Sequence, residues 1–135
     1  NRDFIAFIPF FTDYPFGTFV FPKRQVLSLP ELKANEKQSL ALCLKELIGG
    51  MDNIYERLFP YMMVMHPAPC HSKDALDYYW FHIEFYPPLR GKNSIKYNAS
   101  SETGGWAAAN PTKVETNAVI LKDAISLFRE RGDLK

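Results

Sequence analysis

The run Phe4-Ile5-Ala6-Phe7-Ile8 is apolar at every position and stops at Pro9, which predicts a buried strand. Turn-forming residues at 12–17 lead into a second apolar run at 18–21, stopped by Pro22. The two runs predict an antiparallel pair, with the basic Lys23-Arg24 directly after it. The spacing then changes. Leu40, Leu44, Leu47, Ile48, Met51, Tyr55 and Leu58 recur at three, four and seven, predicting a long helix with Asn35 as N-cap and Pro60 as its limit. Gly49-Gly50 in its middle, each about 1 kcal/mol poorer than Ala in a helix, predicts a kink or break. Residues 61–66 and 78–86 predict two more antiparallel strands, and 95–99 a fifth. From Pro111, the spacing Val114, Ala118, Leu121, Ile125, Phe128 predicts an amphipathic helix. The order ββ-α-β-β-β-α predicts an α+β fold: one domain over residues 1–135, an antiparallel sheet with helices packed on one face.

Composition narrows what such a domain does. At 47% hydrophobic and 15% aromatic residues, the chain is too apolar for a disordered tail. No run reaches 18 apolar residues, so no membrane span is expected. Sixteen Lys+Arg against fifteen Asp+Glu, well mixed, argue against a nucleic-acid groove. They leave room for a small phosphorylated ligand held by one or two cations. The start Asn1-Arg2-Asp3-Phe4 has no signal-peptide pattern and no initiator Met, which predicts a piece of a longer chain. Cys43 lies in the apolar helical stretch and is expected to pack as a small hydrophobe. Cys70, between Pro69 and His71, reads as a free thiol or a metal ligand. Both fit a reduced, cytoplasmic setting.

Two groups of residues carry chemistry. His82 and Glu84 are two apart on a predicted strand, hence on one face, in an otherwise apolar run from Trp80 to Tyr86. Polar groups on so apolar an element need partners. They either pair with each other or share a divalent metal with His66, as N,N,O ligation suited to Zn²⁺ or Fe²⁺. The second group is Lys96-Tyr97-Asn98-Ala99-Ser100-Ser101-Glu102-Thr103-Gly104-Gly105. It is either a solvated turn or a site for a hydroxyl-rich, phosphate-bearing ligand. No nucleophile motif occurs: there is no Gly-x-Ser-x-Gly, no His-Glu-x-x-His and no Walker loop.

The segments Ile8-Pro9-Phe10-Phe11-Thr12-Asp13-Tyr14-Pro15-Phe16-Gly17-Thr18, Phe59-Pro60-Tyr61, His66-Pro67-Ala68-Pro69 and Phe81-His82-Ile83-Glu84-Phe85-Tyr86-Pro87-Pro88-Leu89-Arg90 resemble the C-terminal domain of galactose-1-phosphate uridylyltransferases. Lys96 to Glu102 follows at the expected distance, so the resemblance covers essentially the whole chain. It implies a histidine-triad-like antiparallel half-barrel with helices, one of two such halves. It also implies transfer of a uridylyl group between UDP-glucose and galactose 1-phosphate through a covalent uridylyl-histidine. That histidine belongs to a His-Pro-His motif in the N-terminal half, and this chain has none. No catalytic residue is therefore expected here.

By the same resemblance, Lys96 holds phosphate, Glu102 sugar hydroxyls, and Tyr97, Ala99 and Ser101 complete a loop that serves the partner subunit of a homodimer. His66 and His82 are implied as metal ligands, together with a carboxylate from the N-terminal half. Glu84 stands where many members have a second histidine, Gln25 stands in a position from which nothing is expected, and Asn110 is the candidate for a sugar-contacting glutamine. Two rivals stay open: a related sugar-nucleotide phosphorylase, and a metal- or ligand-binding module without chemistry.

Overall fold

A computed structural model describes residues 1–71 and 74–132. Strands β1 (Phe4–Phe7), β2 (Thr18–Pro22), β3 (Met62–His66) and β4 (His82–Tyr86) form one antiparallel sheet in the order β1-β2-β4-β3. Alternation along β2 and β4 sends Val20, Ile83 and Phe85 to one face, where they are buried with Phe4 beneath helices α1 (Ala34–Tyr55) and α4 (Val114–Glu130). Leu40, Leu47 and Met51 of α1 and Leu121 of α4 close this core. The opposite face carries Phe19, Phe21, His82, Glu84 and Tyr86, all half-buried, because the period of two puts every second residue there.

The expected break at Gly49-Gly50 is absent, and α1 runs straight through. The glycines serve helix packing instead. A Cβ at Gly49 would fall on the Phe128 ring, and one at Gly50 would lie 2.3 Å from Ile125 Cγ1 and 3.1 Å from the Ile125 backbone. Gly50→Ala should therefore destabilise the protein by roughly 1–3 kcal/mol through overpacking, against about 1 kcal/mol of helix propensity regained. A lower urea midpoint is the expected result; an unchanged or higher one would show that α4 yields freely.

Several expected boundaries move, each for a local reason. Helix α1 starts at Ala34 rather than after Asn35, because the Glu36 carboxylate accepts the Lys33 N–H at 2.8 Å. The same carboxylate accepts two bonds from Arg24, at 2.8 and 2.7 Å, tying the end of β2 to the helix start. It ends at Tyr55, with Glu56 left-handed at φ 53°, so Leu58 is outside it and exposed. Residues 78–81 are not strand. A short helix α2 (Ala75–Tyr78) precedes β4, and Gln25, of which nothing was expected, donates to Leu76 O and Tyr79 O at 2.7 and 2.9 Å to hold it.

The fifth strand shrinks to a hairpin outside the main sheet, β5 (Leu89–Gly91) with β6 (Ser94–Ile95). After it comes helix α3 (Ser100–Gly105) instead of a turn, since Glu102 reaches back to the Ala99 N–H at 2.9 Å. Helix α4 begins at Val114, not at Pro111, because Asn110 ties up the preceding turn by accepting from the Thr112 N–H and hydroxyl. Among the described residues, no helix is long and apolar enough to cross a membrane.

Candidate functional site

The antiparallel register sets His66 opposite His82 across β3 and β4, on the helix-free face of the sheet. Their rings stack with centroids 4.7 Å apart, and Phe21 covers the other side of His82 at 4.9 Å. His82 is thus held between two rings. Its Nδ1 lies 2.8 Å from the Trp80 carbonyl; with the proton on Nδ1, Nε2 faces Glu84 Oε1 at 3.1 Å. Among the described residues His66 Nε2 is buried without a hydrogen-bond partner, and it lies 3.8 Å from Glu84 Oε2. An orphaned buried nitrogen facing a carboxylate is the arrangement that a cation satisfies. The three ligand atoms all lie within 4.8 Å of one another. A tetrahedral zinc with bonds of about 2.0–2.1 Å spaces its ligands roughly 3.3 Å apart, so the set fits with small adjustment. Cys70 is exposed and free, and the cluster does not include it.

The loop after β6 is built differently from a solvated turn. The Lys96 side chain is only 2% exposed and that of Glu102 only 8%, and the two form an ion pair. Lys96 Nζ also donates to Ala109 O at 2.7 Å, and Glu102 accepts from the Ala99 and Ala109 N–H groups. Bonding to Lys96 and then to the Ala99 N–H pulls the Glu102 carboxyl down to about 2. Tyr97, Ala99 and Ser101 point outward and are exposed. Lys96 and Glu102 thus come together, while the other three loop candidates line the outer surface beside them. Asn110, the candidate for a sugar contact, spends its amide on Thr12 O and Tyr14 O at 3.0 and 3.3 Å. Its side chain is a clamp on the 12–14 turn.

Glu36 behaves like Glu102: Arg24 and the Lys33 N–H hold it at about 2. Both carboxyls have folded values below the ordinary 4.5. The stability they contribute is therefore complete above that value and lost as pH falls from 4.5 toward 2. Urea titrations should show a falling midpoint across that window, flattened in the Glu36→Gln, Glu102→Gln double variant. A wild-type midpoint unchanged over the window would contradict the two pairings.

A family profile described as "Galactose-1-phosphate uridyl transferase, C-terminal domain" matches residues 1–99. The chain belongs to this family. Galactose-1-phosphate uridylyltransferase of Thermotoga maritima is 38% identical over 123 residues, which is 91% of this chain and 39% of that protein. The chain therefore spans about two fifths of that relative's length. The solved structure of a uridylyltransferase mutant superposes with a TM-score of 0.86 at 31% identity, covering 94% of this chain and 42% of its own. A zinc-bound histidine triad family protein from Mycobacterium smegmatis reaches 0.64 at 11% identity, over 97% of this chain and 84% of its own, a likeness of fold alone. The expected histidine-triad-like α+β architecture is borne out.

Two residues beside the candidate site are not among those the sequence singled out. The Tyr86 hydroxyl donates to Glu84 Oε2, and the Tyr14 ring stands edge-on to Tyr86 at 5.6 Å with Lys96 Nζ 5.4 Å from its centre. Tyr86 had a usable signal, the same strand face as His82 and Glu84. Tyr14 had none, since it comes from a loop far away in sequence.

Proposed function

We infer that this chain is the hexose-phosphate-binding C-terminal domain of a UDP-glucose–hexose-1-phosphate uridylyltransferase of galactose metabolism, inactive by itself. The observation that carries this reading is the buried Lys96–Glu102 pair inside a chain of that family. An ammonium has three donors, and Lys96 spends two, on Glu102 and Ala109 O. The third has no acceptor beyond the Tyr14 ring 5.4 Å from Nζ; a phosphate oxygen that takes its place there meets a fixed positive charge, which stabilises the transferring group. Glu102 keeps acceptor capacity for a sugar hydroxyl, and Tyr97, Ala99 and Ser101 offer the adjoining contact surface. The nucleophilic histidine lies outside this chain, in the N-terminal half of the same enzyme. The loop serves the neighbouring subunit of a homodimer that takes UDP-hexose and hexose 1-phosphate in the cytoplasm.

His66, His82 and Glu84 hold Zn²⁺ or Fe²⁺, with a further carboxylate from the N-terminal half. The bound ion supplies a structural cross-link. The deciding assay is UDP-galactose formation from UDP-glucose and galactose 1-phosphate by the full-length protein. Turnover is the expected result, and its absence in folded, metal-replete protein would sink the reading.

A further inference from the structure

We propose that Tyr86 is a positioning residue for the metal centre: it sets the Glu84 carboxylate toward both imidazoles, and Tyr14 holds Tyr86 in place. This rests on reading His66, His82 and Glu84 as ligands. Glu84 is the one ligand of the three whose orientation is not fixed by stacking. His82 is clamped between the rings of Phe21 and His66 and tied through Nδ1 to Trp80 O. A glutamate carboxylate, carried on three rotatable bonds, has no such restraint, and its oxygens must still meet two different nitrogens. The Tyr86 hydroxyl supplies the restraint. It donates to Oε2, the oxygen facing His66, and leaves Oε1 toward His82 Nε2. Both residues lie on one face of β4, two positions apart, so the strand itself sets the reach of the phenol.

Tyr86 is braced in turn. The Tyr14 ring meets it edge-on at 5.6 Å, and Asn110 pins the Tyr14 carbonyl. Lys96 Nζ lies 5.4 Å from the centre of the same Tyr14 ring. One aromatic side chain therefore stands between the metal centre and the phosphate loop. Groups that orient a ligand are generally worth about 10- to 100-fold in metal affinity.

The test uses the full-length protein, with Zn²⁺ affinity measured by chelator competition and Co²⁺ as a spectroscopic probe of ligand geometry. Tyr86→Phe should weaken Zn²⁺ binding about 10- to 100-fold and change the visible Co²⁺ bands. Tyr14→Leu, which touches no ligand atom, should weaken Zn²⁺ several-fold in the same direction, and it carries the test should Tyr86→Phe fail to fold. In a Glu84→His background the carboxylate is gone, so adding Tyr86→Phe should change affinity by less than about threefold. Equal Zn²⁺ affinity and equal Co²⁺ spectra in wild type, Tyr86→Phe and Tyr14→Leu would overturn the positioning role alone. Failure of the wild-type protein to bind Zn²⁺ would overturn the metal reading and the proposal with it, leaving the assignment of the sugar-phosphate loop intact.

Discussion

Incubated alone with UDP-glucose and galactose 1-phosphate, this 135-residue chain should form UDP-galactose no faster than buffer. Uridylyl transfer in the proposed enzyme needs an imidazole nitrogen free to attack phosphorus, and the three histidines here are poorly placed for it. His82 has one ring nitrogen against the Trp80 carbonyl and the other against Glu84. The Nε2 of His66 is buried under the stacked rings and faces the same carboxylate. His71 sits on an exposed turn with Cys70, and the sequence around it holds no His-Pro-His motif. Loss of a nucleophile in an enzyme that works through a covalent intermediate costs on the order of 10⁶ in turnover. The full-length protein should be active in the same assay. Turnover by the isolated chain that survives repurification, and that Lys96→Ala abolishes, would place the nucleophile within these residues.

The sheet and the two long helices were legible because their signals are local. The apolar run at 18–21, the same-face spacing of His82 and Glu84 and the apolar stripe from Leu40 to Met51 each survive folding. The metal candidates were legible for a related reason: a period of two places His82 and Glu84 on one face. His66 could be added only because antiparallel pairing sets the end of β3 against the start of β4. What the residues alone hid depends on long-range contacts. Gly49 and Gly50 looked like helix breakers, and only the approach of Phe128 and Ile125 shows them as contact points. Residues 96–105 looked like strand followed by turn, because burial of Lys96 against Glu102 and Ala109 O is invisible to local pattern. That burial also changes the energetics expected of the loop. A solvated turn tolerates charge removal, whereas a paired lysine 2% exposed does not.

In the full-length enzyme, Lys96→Ala should weaken use of hexose 1-phosphate roughly 10- to 150-fold, the range of one charged hydrogen bond to phosphate. The structure adds a second consequence. Removing the ammonium strands the Glu102 carboxylate in a mostly buried position, so the variant should also melt at lower temperature. Stability and ligand use must therefore be separated, and Lys96→Met with Glu102→Gln does so. The double variant removes both charges together, keeps the bulk, and should recover melting temperature while hexose-phosphate use stays impaired. Glu102→Gln alone should weaken acceptor use while leaving uridylylation of the catalytic histidine by UDP-glucose less affected. Because the loop is assigned to the neighbouring subunit, mixing Lys96→Ala chains with chains lacking the nucleophilic histidine should restore part of the activity in heterodimers. A loop that served its own subunit would leave those mixtures as inactive as their parents. Wild-type kinetics in the double variant would reduce Lys96 and Glu102 to a structural ion pair, and the sugar-phosphate site would have to be sought elsewhere.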